Sequence, residues 1–238
     1  MSTYVYGITR SSHPALPEKA DGVGDPPRPV RVITHGGVAA LVSDAPENLR
    51  PKRRDLLAHQ NVLGEAGEAG TVLPLRFGGV SPDDDAVLAV LREREAHYLE
   101  RLTSLDGKVE YNVKAAHDEE AVLHQVLVDN PDLRALSQDH RATGGGTYEQ
   151  KLALGERVAA AVKHREARDA VLVQEALEGA AVECRPGPEG TGRLVNLSFL
   201  VERDHAGAFS DAVDALRREH GHLVLQVNGP LPPYSFVE

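Results

Sequence analysis

The stretch RLVNLSFLVERDHAGAFSDAVDALRREHGHLVLQV, residues 193–227, holds a strand, a helix and a strand in direct succession. Arg193 to Glu202 is rich in Val, Leu and Phe, which suit a pleated, half-buried surface. Asp204 to Glu219 reads as a helix, and His222 to Val227 as a closing strand. Upstream, Ala181 to Arg185 pairs with the strand at Arg193 across a Pro/Gly-rich loop. A long helix precedes it, starting at Thr147-Tyr148-Glu149-Gln150, which has capping-box spacing, and ending near residue 178. Tyr148, Leu152, Gly155, Val162, Val173 and Leu177 mark its expected inner side. Further back lie the flexible lead-in Gly144-Gly145-Gly146 and two short helical stretches that part near Asn130-Pro131. Before these, Val109, Tyr111 and Val113 alternate with Glu110, Asn112 and Lys114, the period of a half-buried strand. The order β–helices–β–β–α–β is close to the split βαβ of ferredoxin-like folds.

The N-terminal half follows a different plan. Thr3 to Thr9 reads as a strand, and the Pro/Gly-rich residues 10–29 as a long irregular loop. Val30 to Thr34 and Val38 to Ser43 flank Gly36-Gly37, whose positive φ a tight hairpin needs. A helix opens at Pro51, with Leu56, Leu57, Val62 and Leu63 as its expected apolar face. Thr71 to Phe77 is a fourth strand. Ser81-Pro82-Asp83-Asp84 starts a helix with Ser81 as N-cap, and Val87, Leu91, Tyr98, Leu102 and Leu105 form its buried stripe. Asp106-Gly107 then breaks the chain. The expectation is an α+β protein of two domains, 1–105 and 106–238, with mixed or antiparallel sheets and ferredoxin-like character in the second.

Bulk properties exclude several functions. A net charge of −10 opposes nucleic-acid binding, and the one compact basic cluster (Arg50, Lys52, Arg53, Arg54) reads as a solvated helix start. The single cysteine, Cys184, forms no intrachain disulfide and no thiolate zinc cluster, which fits a reducing cytoplasm. No charged region followed by an apolar run opens the chain, so no signal peptide is expected. No apolar run is long enough to span a bilayer.

The search for chemistry finds no motif. The 11 histidines show no HExxH; His220 and His222 straddle a helix end, and His117 and His124 lack a carboxylate pattern, so they read as scattered. Cys184 reads as a small buried hydrophobe. Gly144-Gly145-Gly146-Thr147 lacks the lysine of a phosphate loop, and Asp83-Asp84-Asp85 serves the helix dipole. No catalytic, metal or cofactor site is expected.

Two segments resist a bland reading. Val72-Leu73-Pro74-Leu75-Arg76-Phe77-Gly78 places Pro in a strand-like run and Arg76 between apolar residues, where it is expected half buried and paired to a carboxylate or to carbonyls. Asn228 to Glu238 is a Pro-stiffened tail whose Tyr234, Phe236 and Val237 should dock on this chain or on another. Arg76, Phe77, Tyr234 and Phe236 are therefore the candidate partner-binding or structural residues.

These segments and their surroundings resemble the GvpF/GvpL family of gas vesicle proteins. The matches run in order: Tyr4-Val5-Tyr6-Gly7-Ile8, His59 with Val62-Leu63, the run from Val72 to Gly78, Val109 to Lys114, Tyr148 to Gly155, Asn196 to Val201, and Gly229 to Phe236. Tyr111 and Leu231 stand where family members often carry Trp, changes that stay apolar. The resemblance implies a minor structural or accessory protein of gas vesicle formation, in the cytoplasm and at the vesicle, without enzymatic activity or cofactor. Its implied partners are the small hydrophobic shell protein (GvpA type) and other accessory gas vesicle proteins. Two other classes compete: a ligand-binding regulatory protein of ferredoxin-like fold, and a hydrolase using His59 and Arg76, against which the absence of motifs speaks.

Overall fold

The computed structural model describes residues 2–14, 20–142, 144, 146–188 and 192–238. Residues 15–19 of the expected first loop, Gly145 of the glycine run and 189–191 of the Pro/Gly-rich loop lie outside the described residues. The elements run β1 (Thr3–Arg10), β2 (Arg31–His35), β3 (Val38–Asp44), α1 (Arg53–Ala69), β4 (Val72–Pro74), β5 (Val80–Ser81), α2 (Asp84–Ser104), β6 (Lys108–His117), α3 (Glu119–Asp129), α4 (Pro131–Ala142), α5 (Tyr148–Glu178), β7 (Glu183–Pro186), β8 (Val195–Glu202), α6 (Ala206–Glu219) and β9 (Leu223–Leu231). They form two compact units. One is Met1–Tyr111 with Leu200–Asp204 and Gly229–Glu238; the other is Asn112–Phe199 with His205–Asn228. The expected second domain, 106–238, thus does not stay whole, because the tail carries Phe236 into the core of the first unit.

In the first unit the sheet runs β2-β3-β1-β4, with β5 also on β1. β2 and β3 form the expected hairpin, and Gly36 supplies the positive φ (+52°) at its turn. The β1–β3 register shifts between Val5 and Gly7. That irregularity lets Val5 and Ile8 face one side of the sheet and Tyr4 and Tyr6 the other. Val5, Ile8, Val42 and Leu73 pack with Val87, Leu91 and Leu102 of α2. Tyr4, Tyr6 and Leu41 pack with Val62, Leu63 and Ala66 of α1. Both faces are buried, so β1 and β3 read as continuous apolar runs.

The stripe of α1 differs from expectation. Asp55, His59, Val62, Leu63 and Ala66 are inside, while Leu56 and Leu57 are exposed. The polar pair is tolerated because each side chain has a partner: Asp55 Oδ1 accepts from the Gly24 amide (3.0 Å), and His59 meets Tyr4 (2.8 Å). α2 starts two residues later than expected, with Asp83 and not Ser81 as N-cap, accepting from the Ala86 amide.

In the second unit, α5 opens with both halves of the Thr147–Gln150 capping box. Its Val173 and Leu177 are buried, but Tyr148 and Leu152 at its start are exposed. Val122, Val126 and Leu133 of α3 and α4 pack with Leu154, Val158 and Val162. Phe209 of α6 stands 5.4 Å, ring to ring, from Phe199. The second sheet runs β7-β8-β6-β9.

Candidate partner-binding surface

The first unit carries an open groove of about 1050 Å³. It is lined by residues of β1, β4, β5 and α2 and by residues of the tail. Leu75, Val80, Val90, Tyr98 and Val237 line it, and Arg76, Arg94 and Glu238 stand among them. Val80 and Val90 are 48% and 46% exposed, so apolar surface faces solvent here. The flank of β1 beyond the sheet is covered only by short strands, Val72–Pro74 and Val80–Ser81. Short edge strands limit, without abolishing, pairing with another chain.

Residues 75–79 loop between those two strands. The Leu75 amide donates to the Tyr6 carbonyl (2.8 Å), and the Val5 amide to the Gly79 carbonyl (2.9 Å). Gly78 takes φ +100° at the tip, where a side chain would be strained. The chain is therefore not in strand geometry at Arg76, and the expected half-buried, paired arginine is corrected: Arg76 is exposed. Phe77 turns inward instead, 5.9 Å from the Tyr4 ring and 5.8 Å from His59.

The tail docks on its own unit. Phe236 is fully buried in the α2-side core. The Ser235 amide and hydroxyl both donate to the buried Glu110 carboxylate (2.7 and 2.8 Å), and Arg101 donates to the Phe236 carbonyl. Burial, helped by the Glu110 charge, pushes the Tyr234 phenol up to about 12. Of the four candidates, the groove joins Arg76 and Tyr234, while Phe77 and Phe236 serve the cores behind it. The residues that sequence reading missed are Val80, Val90, Arg94 and Tyr98; the exposed valines β5 and α2 contribute carry no motif.

His59 is placed as a structural residue. The Tyr4 hydroxyl donates to its Nδ1 (2.8 Å), and its Nε2–H donates to the Leu75 carbonyl (3.1 Å). Both ring nitrogens are thus engaged inside the first unit, while Arg76 is exposed. Burial holds the His59 imidazole below its ordinary value, against a smaller upward pull from the Leu75 carbonyl. The folded chain thus binds fewer protons here than the unfolded one. The stability this neutral ring contributes is present above the unfolded value of about 6.5 and is lost as pH falls through the lower folded value. Melting temperature should accordingly fall more steeply in the parent chain than in His59→Gln between about pH 7 and about pH 5. Parallel slopes would remove His59 from the account.

The second unit holds the other chemistry-bearing groups. Burial, then the charge of Glu178, pushes the Cys184 thiol up to about 11, which leaves it protonated and unreactive. His117 and His222 are not scattered. Each places Nε2 2.8 Å from Oδ2 of Asp169, a residue of α5 that is 1% exposed. Arg165 Nε lies 2.9 Å from both Asp169 oxygens, and its Nη1 reaches Asp129. Burial alone would raise Asp169, but the hydrogen bonds from His117, Arg165 and His222 outweigh it and hold the carboxyl below its ordinary range.

The described residues thus form an α+β protein whose candidate site is an apolar surface groove. A family model described as gas vesicle synthesis protein GvpL/GvpF matches residues 2–238, and the chain belongs to that family. It is 74% identical to gas vesicle protein F of Streptomyces sp. (strain CB03234) over 238 residues, all of both chains. It is similar to the crystal structure of gas vesicle protein GvpF from Microcystis aeruginosa, with a TM-score of 0.74 and 27% identity over 100% of this chain and 99% of that one. The GvpF crystal structure from Anabaena sp. PCC7120 gives a TM-score of 0.77 at 27% identity, over 100% and 98%. Membership gives the chain an accessory role in gas vesicles. Among the described residues no helix is long and apolar enough to cross a membrane.

Proposed function

We propose that this protein is a non-catalytic accessory or minor structural component of gas vesicle formation that binds the small hydrophobic shell protein (GvpA type) and other accessory gas vesicle proteins, in the cytoplasm and at the vesicle. The observation that carries this reading is the family match along residues 2–238. The groove supports it. An apolar trough beside a short sheet edge suits an apolar segment or an added strand, as in strand-addition complexes. A growing shell of β-rich subunits exposes such edges until they are paired. The net charge of −10 keeps the accessory itself from random association. The strand order β7-β8-β6-β9, with α6 between β8 and β9, supports the ferredoxin-like reading of the second unit.

The test is capture of purified shell protein by variants of the groove. Val90→Glu buries a carboxylate in any apolar contact made there and should abolish capture. Arg76→Ala should weaken capture while shifting stability by no more than about 0.5 kcal/mol, as for other exposed positions. Undiminished capture by Val90→Glu moves the shell-protein surface elsewhere. A fall in melting temperature of several degrees in Arg76→Ala would restore the buried arginine.

A further inference from the structure

The cluster around Asp169 has a contradiction at one atom. His222 Nε2 lies 2.8 Å from Asp169 Oδ2 and 3.1 Å from Arg165 Nη2. A ring nitrogen has one in-plane position, filled by a proton or a lone pair. As N–H it serves the carboxylate and opposes the guanidinium N–H. As a lone pair it accepts from Arg165 and faces the carboxylate lone pairs with nothing between. No tautomer satisfies both contacts, and the position is 6% exposed, with little water to relieve it. His117 Nε2 converges on the same oxygen (2.8 Å). One ligand atom from each of His117, Asp169 and His222 lies within 4.8 Å of the others.

We propose that His117, Asp169 and His222 form a binding site for a divalent transition cation, Zn²⁺ fitting best, which ties β6, α5 and the start of β9 together within the second unit. A cation takes the lone pairs of both imidazoles and of the carboxylate at once, which no proton arrangement does. Two imidazoles and one carboxylate favour zinc over the oxygen-seeking Ca²⁺ and Mg²⁺. Backbone structure already sets the two histidines side by side, since the Asp118 amide donates to the His222 carbonyl (2.9 Å). Zinc bonds of about 2.0–2.1 Å in tetrahedral geometry place ligands about 3.4 Å apart, so the 2.8 Å contacts must open by about half an ångström. Arg165 remains on Oδ1 of Asp169 and on Asp129 as the group that orients the carboxylate, and gives up its contacts with His222 and with Oδ2. With three protein ligands, water completes the coordination shell.

The test uses the full chain, stripped with a chelator and titrated with ZnCl₂ by calorimetry. One zinc per chain should bind at micromolar concentration or below and raise the melting temperature. Long-range proton–nitrogen spectra should show the Nε2 signals of His117 and His222 shifting, with the other histidines unmoved. His117→Gln and His222→Gln keep a polar side chain on Asp169 and should each weaken binding by about 100-fold or more. No binding at micromolar zinc, binding unchanged in both variants, or Nε2 signals that stay in place each overturn the proposal. Should a variant fail to fold, the nitrogen spectra of the parent chain decide.

Discussion

Phe236→Ala should lower stability by about 3–5 kcal/mol, an effect beyond that of any surface change in the chain. The ring is fully buried two residues from the C-terminus, among Val5, Ile8, Leu73, Leu91, Leu102 and Leu105. Alanine leaves a cavity bounded by a sheet on one side and α2 on the other, and neither can collapse far without breaking its own hydrogen bonds. The ring is also the anchor of the tail. Without it, the entropy of ordering 232–238 is opposed by the packing of Tyr234 and Val237, the two Ser235 bonds to Glu110 and the Arg101 bond to the Phe236 carbonyl. Loss of those bonds leaves Glu110, 4% exposed, as a buried carboxylate short of donors. For a chain of this size the expected fall in melting temperature is on the order of 10 °C. Ser235→Ala should cost less, about 1–3 kcal/mol, by the same route. Thermal unfolding followed by circular dichroism measures both. A Phe236→Ala transition within about 2 °C of the parent would mean that the tail rests on the surface and does not complete the core.

What could be read in the sequence depended on whether the signal was local. The Thr147–Gln150 capping box, the Gly36 hairpin and the stripe from Val87 to Leu105 all rest on neighbours within a turn or two, and each is found in the structure. The errors lie where a distant partner decides. Leu56 and Leu57 look like the face of α1, but Tyr4 and the Gly24 amide receive His59 and Asp55, and the helix rotates those polar groups inward. Arg76 looks like a strand residue because the run from Val72 to Phe77 is apolar. β1 pairs with β4 and β5 separately, and the residues between them leave the sheet. Tyr148 and Leu152 fit the period of α5 yet stay exposed, for which the structure offers no partner among the described residues. Of the candidate site, the tail and the 72–78 run were legible as oddities of composition. The groove they help form needed α2 and β5, whose exposed valines look like any others.

Asp169→Ala is the second large effect, and it shows why that cluster escaped the sequence. Its partners lie 52 and 53 residues away, at His117 and His222, and nothing in the spacing announces the meeting. Among the described residues Asp169 is the one carboxylate bonded to both imidazoles, and it shares Arg165 with Asp129. Its removal leaves the guanidinium beside two imidazoles with their common acceptor gone. Breaking one member of a buried charged set costs about 3–5 kcal/mol, because the remaining charge stays desolvated. Removing the guanidinium as well is a different matter, since an apolar replacement of similar volume leaves no buried charge unpaired: the carboxylate that loses Arg165, Asp129, keeps a side chain 34% exposed to water. Asp169→Leu combined with Arg165→Met should therefore recover much of what Asp169→Ala loses, although the double variant lacks more hydrogen bonds. Measured in chelator, so that no bound cation contributes, the comparison isolates the charge network. Recovery identifies the cost as an uncompensated buried charge. A double variant that loses as much as the sum of its parts would show that the bonds themselves, and not the charge, hold β6, α5 and β9 together.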